Sequence, residues 1–439
     1  MRSQIIIHSR AEKLHYEIRE IVAVAKKVEE LGQEITWENI GDPVKKGEKT
    51  PAWIKSIVKS AVGKNETYAY APTKGLEATR EFIAKRVNRR QGVQITAEDI
   101  CFFNGLGDAV GKIYGILDPT VRVIGPSPAY STHSSAEAAH TGSPHLTYRL
   151  DPKNNWYPDL EDLENKVKYN PNISGILYIN PNNPTGAVYP RECLEQIVKI
   201  AKKYDLFIIA DEIYENLAFS KNKFTRLSDI VDHVPGVAMK GISKEIPWPG
   251  SRCGWLEFYN EGNGKKDHVF TKYVKAIVDS KMLEVSSTTL PQYVIPEIFS
   301  DKRYAQYRRE LNSFYKSRAK LATDILKDVP GINVVKPEGA FYLTVSFEKG
   351  VLTKDQSLPI ENKDVRKFIK SKLDDSLSLD KRFVYYLLAS TGICVVPLTG
   401  FETKEHGFRT TLLEPNQRKF IWIFETIKAS IADYTQKQK

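Results

Sequence analysis

Five polar side chains lie close together in the middle of the chain: Asn183, Asp211, Tyr214, Lys244 and Arg252. Asn183 stands in INPNNPTGAVY, Asp211 and Tyr214 in IIADEIYENL, Lys244 in GISKEIP, and Arg252 eight residues further on in PGSRCGW. A lysine amine can hold an aldehyde as an imine, and a buried carboxylate can keep a ring nitrogen protonated. An amide and a phenol can hydrogen-bond a phenolic oxygen, and an arginine can neutralise a phosphate. Together these are the requirements of pyridoxal 5'-phosphate.

The local patterns explain how such residues would be delivered to one place. Ser174 to Ile179 is a β-rich run closing on a proline-broken, amide-rich loop. Leu194, Ile197, Val198 and Ala201 then share one helical stripe, with Pro190 suited to the first position. Leu206 to Ala210 is a continuous apolar run of the kind buried on both faces of a parallel sheet. This is a strand–helix–strand unit, and its polar residues fall beyond the carboxyl ends of the strands, where such sheets bind ligands.

Asn183-Pro184-Thr185-Gly186, Asp211-Glu212-Ile213-Tyr214, Ser243-Lys244 and Arg252, in this order and spacing, resemble the class I/II aminotransferases, the fold-type I pyridoxal-phosphate enzymes. The resemblance extends from roughly His8 to Ile431. It implies Lys244 as cofactor anchor and proton-moving base, Asp211 at the pyridine nitrogen, and Tyr214 and Asn183 at the phenolic oxygen. Backbone N–H groups of Leu106 and Gly107, in ICFFNGLGDAVG, would hold the phosphate with Arg252. Tyr130 in SPAYST would stack on the pyridine face, although the segment alone is equally compatible with a core tyrosine. Gly41 would border the substrate through its backbone, and Arg409, in GFRTT, would pair with the substrate α-carboxylate, as a planar fork suits a planar anion. Tyr70 in TYAYAPT would reach the phosphate of the partner subunit, which implies a homodimer with shared active sites. Thr288 is a weaker candidate for the same phosphate, and a simple loop explains SSTTLPQ as well. No metal is implied.

The glycines of the 100–111 stretch miss the dinucleotide-binding spacing, and the next β-rich run ends on Gly125 rather than on an acid for a ribose. Three departures bear on the substrate. Gly241 stands where a phosphate-contacting serine is frequent, Pro-Leu-Thr-Gly-Phe replaces a more usual Pro-Gly-x-x-Phe, and Gly107 stands where some aspartate-specific members carry a lysine. The carboxyl-terminal motifs lean toward alanine-type members. The implied activity is transfer of an amino group between an α-amino acid and a 2-oxo acid, with aspartate, alanine and aromatic types unresolved. A lyase or decarboxylase on the same fold, or a non-catalytic regulatory protein, would keep many of the same residues.

The chain has 439 residues, 41% hydrophobic and 27% charged, which suits two soluble globular domains. The expected fold is α/β. It has a large domain with a mostly parallel, seven-stranded-type sheet flanked by helices, and a smaller α+β domain built from the N-terminal segment and the C-terminal part. The boundaries fall at residues 1–48 (small domain), 49–315 (large, cofactor-binding) and 316–439 (small). Residues 14–31 read as a helix, Thr50-Pro51 as the capped start of another, and 350–378 as a polar surface excursion. The net charge of +10 is spread over many helices without a nucleic-acid module, and no apolar run is long enough to cross a membrane. Cys101, Cys193, Cys253 and Cys394 show no paired spacing, so a cytoplasmic protein is expected.

Overall fold

The computed structural model describes residue 10 and residues 17–220, 224–261 and 268–436. The first described helix, Glu17–Glu30, buries Ile21, Val24, Ala25 and Val28 on one stripe; the start expected at Leu14 lies outside the described residues. After the short strand β1 (Thr36–Trp37) come β2 (Ile100–Phe103), β3 (Arg122–Ser127), β4 (Thr147–Asp151), β5 (Tyr157–Pro158), β6 (Ile173–Ile179), β7 (Phe207–Asp211), β8 (Gly236–Gly241) and β9 (Gly254–Tyr259). These last eight form one sheet in the order β2-β9-β8-β7-β6-β3-β4-β5. The pairs β3/β4, β3/β6, β6/β7 and β7/β8 are parallel, whereas β9 runs against both neighbours and the two-residue β5 runs against β4. The expected mostly parallel sheet is present, with β5 added at one edge.

Alternation along the central strands sorts their side chains onto two covered faces. Ile176, Tyr178, Ile208 and Ala210 pack with Leu194, Ile197, Val198 and Ala201 of the helix Arg191–Lys203, the stripe read from the sequence. Leu177, Ile179 and Ile209 face the other way, onto Val110 and Ile113 of the helix Leu106–Gly115 and Val274 and Ile277 of the helix Val269–Lys281. Each such fully buried aliphatic side chain contributes about 1.5–3 kcal/mol. The site therefore stands on a strand layer packed from both sides.

The long helix Tyr304–Leu326 leads to a second sheet in which β10 (Ile332–Val334), β11 (Tyr342–Phe347), β14 (Gly407–Thr411) and β13 (Val396–Pro397) are antiparallel neighbours. The remaining strand, β12 (Ile393–Cys394), pairs in parallel with β1, and Thr411 N donates to Glu38 O at 3.0 Å. The N-terminal segment is thereby stitched to the C-terminal part.

Two local expectations are corrected. Thr50 does not cap the helix Ala52–Val62; its hydroxyl donates to Pro247 O at 3.1 Å, and Pro51 occupies the position before the helix without a side-chain cap. Nor is 350–378 a bare surface excursion. It holds the helix Lys363–Lys370, with Val365 and Ile369 buried along with Leu352, Leu358 and Ile360. Asn362 caps that helix by accepting from Asp364 N and Val365 N, and its amide donates to Leu31 O at 2.8 Å. A few apolar residues spaced one helical turn apart suffice to bury one face of an otherwise charged segment.

Candidate active site

The carboxyl ends of β6 and β7 are level, with Ile179 paired to Asp211 and Asn180 N donating to Asp211 O at 3.0 Å. The loop after β6 thus carries Asn183 to the place where Asp211 leaves β7. A cavity of about 350 Å³ opens there, between the large sheet, the 39–42 turn and the small sheet. Gly41, Leu106, Gly107, Tyr130, Asn183, Asp211, Tyr214, Lys244, Arg252 and Arg409 all line it. Tyr70 does not; it is 83% exposed on the outside of this chain. Thr288 lies just before the helix Thr289–Ser300, its N–H donating to Asn104 Oδ1 at 3.1 Å and its hydroxyl to Ser251 O at 3.4 Å.

At one end the site is a cradle for an anion. Gly105, at φ +80°, precedes the helix Leu106–Gly115, whose first two residues line the cavity. A side chain at Gly105 would come within 2.4 Å of Arg252 Nη2, so the guanidinium lies against this helix start, whereas nothing stands within 4 Å of a Cβ at Gly107. A helix N-terminus beside an arginine is an anion site. Gly241 does not line the cavity, and a Cβ there would stand 2.9 Å from Ile213 Cδ1 and 3.1 Å from Cys253 O, so the serine that is frequent at that position would press on both.

Lys244 Nζ donates to Gly41 O at 3.0 Å and sits 5.9 Å from the Tyr214 ring centroid. Burial pushes its amine down to about 8; Arg409 and Arg252 act the same way, and Asp42 and Asp211 oppose them. Asp211, 4% exposed, accepts from Ile213 N at 3.2 Å and meets His133 Nε2 at 3.2 Å. His133 Nδ1 in turn faces the Tyr114 hydroxyl at 3.3 Å. Tyr214 meets the Tyr342 hydroxyl at 3.1 Å.

Arg409 enters from β14 and is 1% exposed, yet no carboxylate pairs with it among the described residues. Its Nη1 donates to Asn183 Oδ1 at 3.3 Å and its Nη2 to Asn39 O, while its plane lies 4.5 Å from the Tyr342 ring centroid. Its Nε and both polar atoms of the Asn39 side chain are buried without a hydrogen-bond partner. A buried guanidinium with a free edge is costly unless an anion completes it. This donor set, an amine of lowered pKa, an aromatic wall and an anion cradle fit pyridoxal phosphate and a carboxylate substrate.

His133, Tyr342 and Asn39 also line the site or touch its groups and were not singled out from the sequence. His133 had a signal: it lies three residues after Tyr130, one helical turn along the helix Ser131–Thr141. Tyr342 had none beyond strand alternation, because its reach depends on how two sheets meet. Among the described residues no cluster of His, Cys, Asp and Glu could hold a metal, and no helix is long and apolar enough to cross a membrane.

Residues 38–419 match the protein family described as aminotransferase class I and II. A protein of Methanocaldococcus jannaschii, named only as an uncharacterized aminotransferase, is 58% identical over 429 residues, covering 98% of each chain. A glutamate-pyruvate aminotransferase of Escherichia coli K12 is 29% identical over 338 residues, covering 76% of this chain and 81% of that protein. Among solved structures, an alanine aminotransferase from Pyrococcus furiosus superposes with a TM-score of 0.83 at 26% identity, over 97% of this chain and 99% of that one.

Proposed function

Because the chain belongs to the aminotransferase class I and II family, and is thus a transaminase, we propose that it uses pyridoxal 5'-phosphate to move an amino group between a small α-amino acid of the alanine type and a 2-oxo acid. The observation that carries the reading is Arg409, a fully buried cation that has an unpartnered Nε and no carboxylate of its own among the described residues and lines the same cavity as Lys244 and Asp211.

When bound, the cofactor supplies an electron sink for the charge left when the Cα–H bond breaks. The rest is the work of this chain. The first N–H groups of the helix at Leu106 and Gly107, with Arg252, would hold the phosphate. Asp211, backed by His133, would pair with the ring nitrogen. Tyr214 and Asn183 would hydrogen-bond the phenolic oxygen, and Tyr130 would stack on the ring. Arg409 would pair with the substrate carboxylate and so orient the substrate, while Gly41 would bound it through its backbone. The Lys244 amine, titrating near 8, can take and return a proton at neutral pH, which an ordinary lysine at 10.5 could not do efficiently.

The alanine-type assignment draws support from the relatives named for glutamate, pyruvate and alanine. Among the described residues the lysines and arginines lining the cavity are Lys244, Arg252 and Arg409, each already assigned, which leaves none of these for a second substrate carboxylate. Tyr70 is proposed to complete the phosphate site of the partner subunit in a homodimer; its 83% exposure beside Tyr68 at 73% supplies the surface such a contact would cover. The division at residues 48/49 and 315/316, and a cytoplasmic location, belong to the same reading.

The test is a half-reaction. Purified protein should carry a visible absorption band that Lys244→Ala lacks. With L-alanine alone the band should disappear as one equivalent of pyruvate is released, and added 2-oxo acid should restore it. An unchanged band in Lys244→Ala, or no response to any of a broad set of amino acids, would refute the assignment.

A further inference from the structure

The Tyr342 hydroxyl has no part in the scheme above, although it stands at the centre of the site. Tyr342 begins β11 in the small sheet, is 3% exposed, and brings its oxygen to 3.1 Å from that of Tyr214, with the two rings edge-on at 81°. The approach depends on Gly41. A Cβ there would lie 2.0 Å from the Tyr342 oxygen, and the carbonyl of the same glycine accepts the Lys244 amine. On its other side the ring carries the Arg409 guanidinium at 4.5 Å. One side chain therefore touches the residue that would receive the substrate carboxylate, the phenol that would face the cofactor oxygen, and the turn that holds the lysine.

Tyr214 has a single O–H. If that hydrogen points to the phenolic oxygen of the cofactor, the Tyr214 oxygen is left as an acceptor, and the Tyr342 hydroxyl is the donor that reaches it. We propose that Tyr342 is a positioning residue that donates its hydroxyl hydrogen to Tyr214, fixing the direction of the Tyr214 O–H and strengthening it as a donor. The inference rests on the function proposed above. A hydroxyl that accepts one bond donates another more strongly. The cation stacked on the Tyr342 ring draws electron density from it and makes it the better donor of the pair.

The consequence is measurable without turnover. A donor to the phenolic oxygen favours the form in which that oxygen bears more negative charge, which is the form with the lysine–cofactor linkage deprotonated. Weakening the donor must raise the pKa of that linkage. The visible absorbance of the holoenzyme followed against pH gives this pKa for wild type, Tyr342→Phe, Tyr214→Phe and the double variant. Tyr342→Phe removes one oxygen and keeps the ring under Arg409, so packing is retained.

The expected result is a rise of about half a pH unit in Tyr342→Phe, the scale of one neutral hydrogen bond. Tyr214→Phe should rise further, and the double variant should match Tyr214→Phe alone, since Tyr342 acts through Tyr214. An unmoved pKa in Tyr342→Phe, or two shifts that simply add, overturns the inference while leaving the function intact. A wild-type protein with no visible band defeats both.

Discussion

Arg409→Lys is the perturbation that bears most directly on substrate recognition. The guanidinium offers five N–H donors in a rigid fork. Two are already engaged, Nη1 to Asn183 Oδ1 at 3.3 Å and Nη2 to Asn39 O, leaving the Nε edge and one hydrogen on each terminal nitrogen. A lysine keeps the charge but offers three donors from one atom, so it cannot hold Asn183, Asn39 and both carboxylate oxygens together. Losing one charge-assisted bond to the substrate costs about 1.5–3 kcal/mol, or roughly 10- to 150-fold in kcat/KM for L-alanine. Cofactor affinity should change less than about threefold, because Arg409 faces the substrate rather than the phosphate cradle at Leu106 and Arg252. Steady-state kinetics with L-alanine, together with cofactor titration followed by absorbance, separate the two effects. A kcat/KM within threefold of wild type, or an equal loss in cofactor affinity, would mean that the open edge of Arg409 does not face the substrate.

Three further outcomes follow from the same geometry. In cofactor-free protein the Lys244 amine should react with an amine-specific reagent half-maximally near pH 8 rather than 10.5, because burial disfavours the charged form; Asp42→Asn should move that midpoint lower still, since Asp42 favours the cation, and a midpoint near 10.5 in wild type contradicts the burial argument. Gly241→Ser should not tighten cofactor binding but should destabilise the protein by about 1–3 kcal/mol, visible as a lower unfolding midpoint, because its Cβ would press on Ile213 and the Cys253 carbonyl; an unchanged midpoint would show that the strand pair yields. Ile369→Ala should cost about 2–4 kcal/mol in denaturant unfolding, as expected for a fully buried side chain, whereas a loss below about 0.5 kcal/mol would return the 350–378 segment to a surface role.

Much of the cavity was readable because its residues sit at places where backbone pattern and chemistry coincide. Asp211 ends an apolar parallel strand, Asn183 lies in a proline-broken loop after another, and Leu106 and Gly107 open a helix after β2. Strand and helix periods are short-range properties, so their ends can be placed from nearby residues alone. The helix inside 350–378 was misread because its apolar positions, Val365 and Ile369, are few and set among lysines. Thr50 was misread because a capping residue type and a proline leave open which carbonyl the hydroxyl will meet, and here it is Pro247, nearly two hundred residues away.

His133 and Tyr342 mark the same divide at the site itself. His133 matters because a helix lies over the end of β7 and brings Nε2 to 3.2 Å from Asp211, and Tyr342 because the small sheet meets the 39–42 turn. By itself the chain determined the order of its elements, the apolar stripes that seat them and the polar groups at their ends, since each is set by neighbours a few residues apart. Only the packed molecule decided which of those groups meet, that Arg409 is buried with its Nε unpartnered, and that burial pushes the lysine amine down to about 8. Those properties arise from desolvation and from contacts between segments hundreds of residues apart, and no local pattern records either.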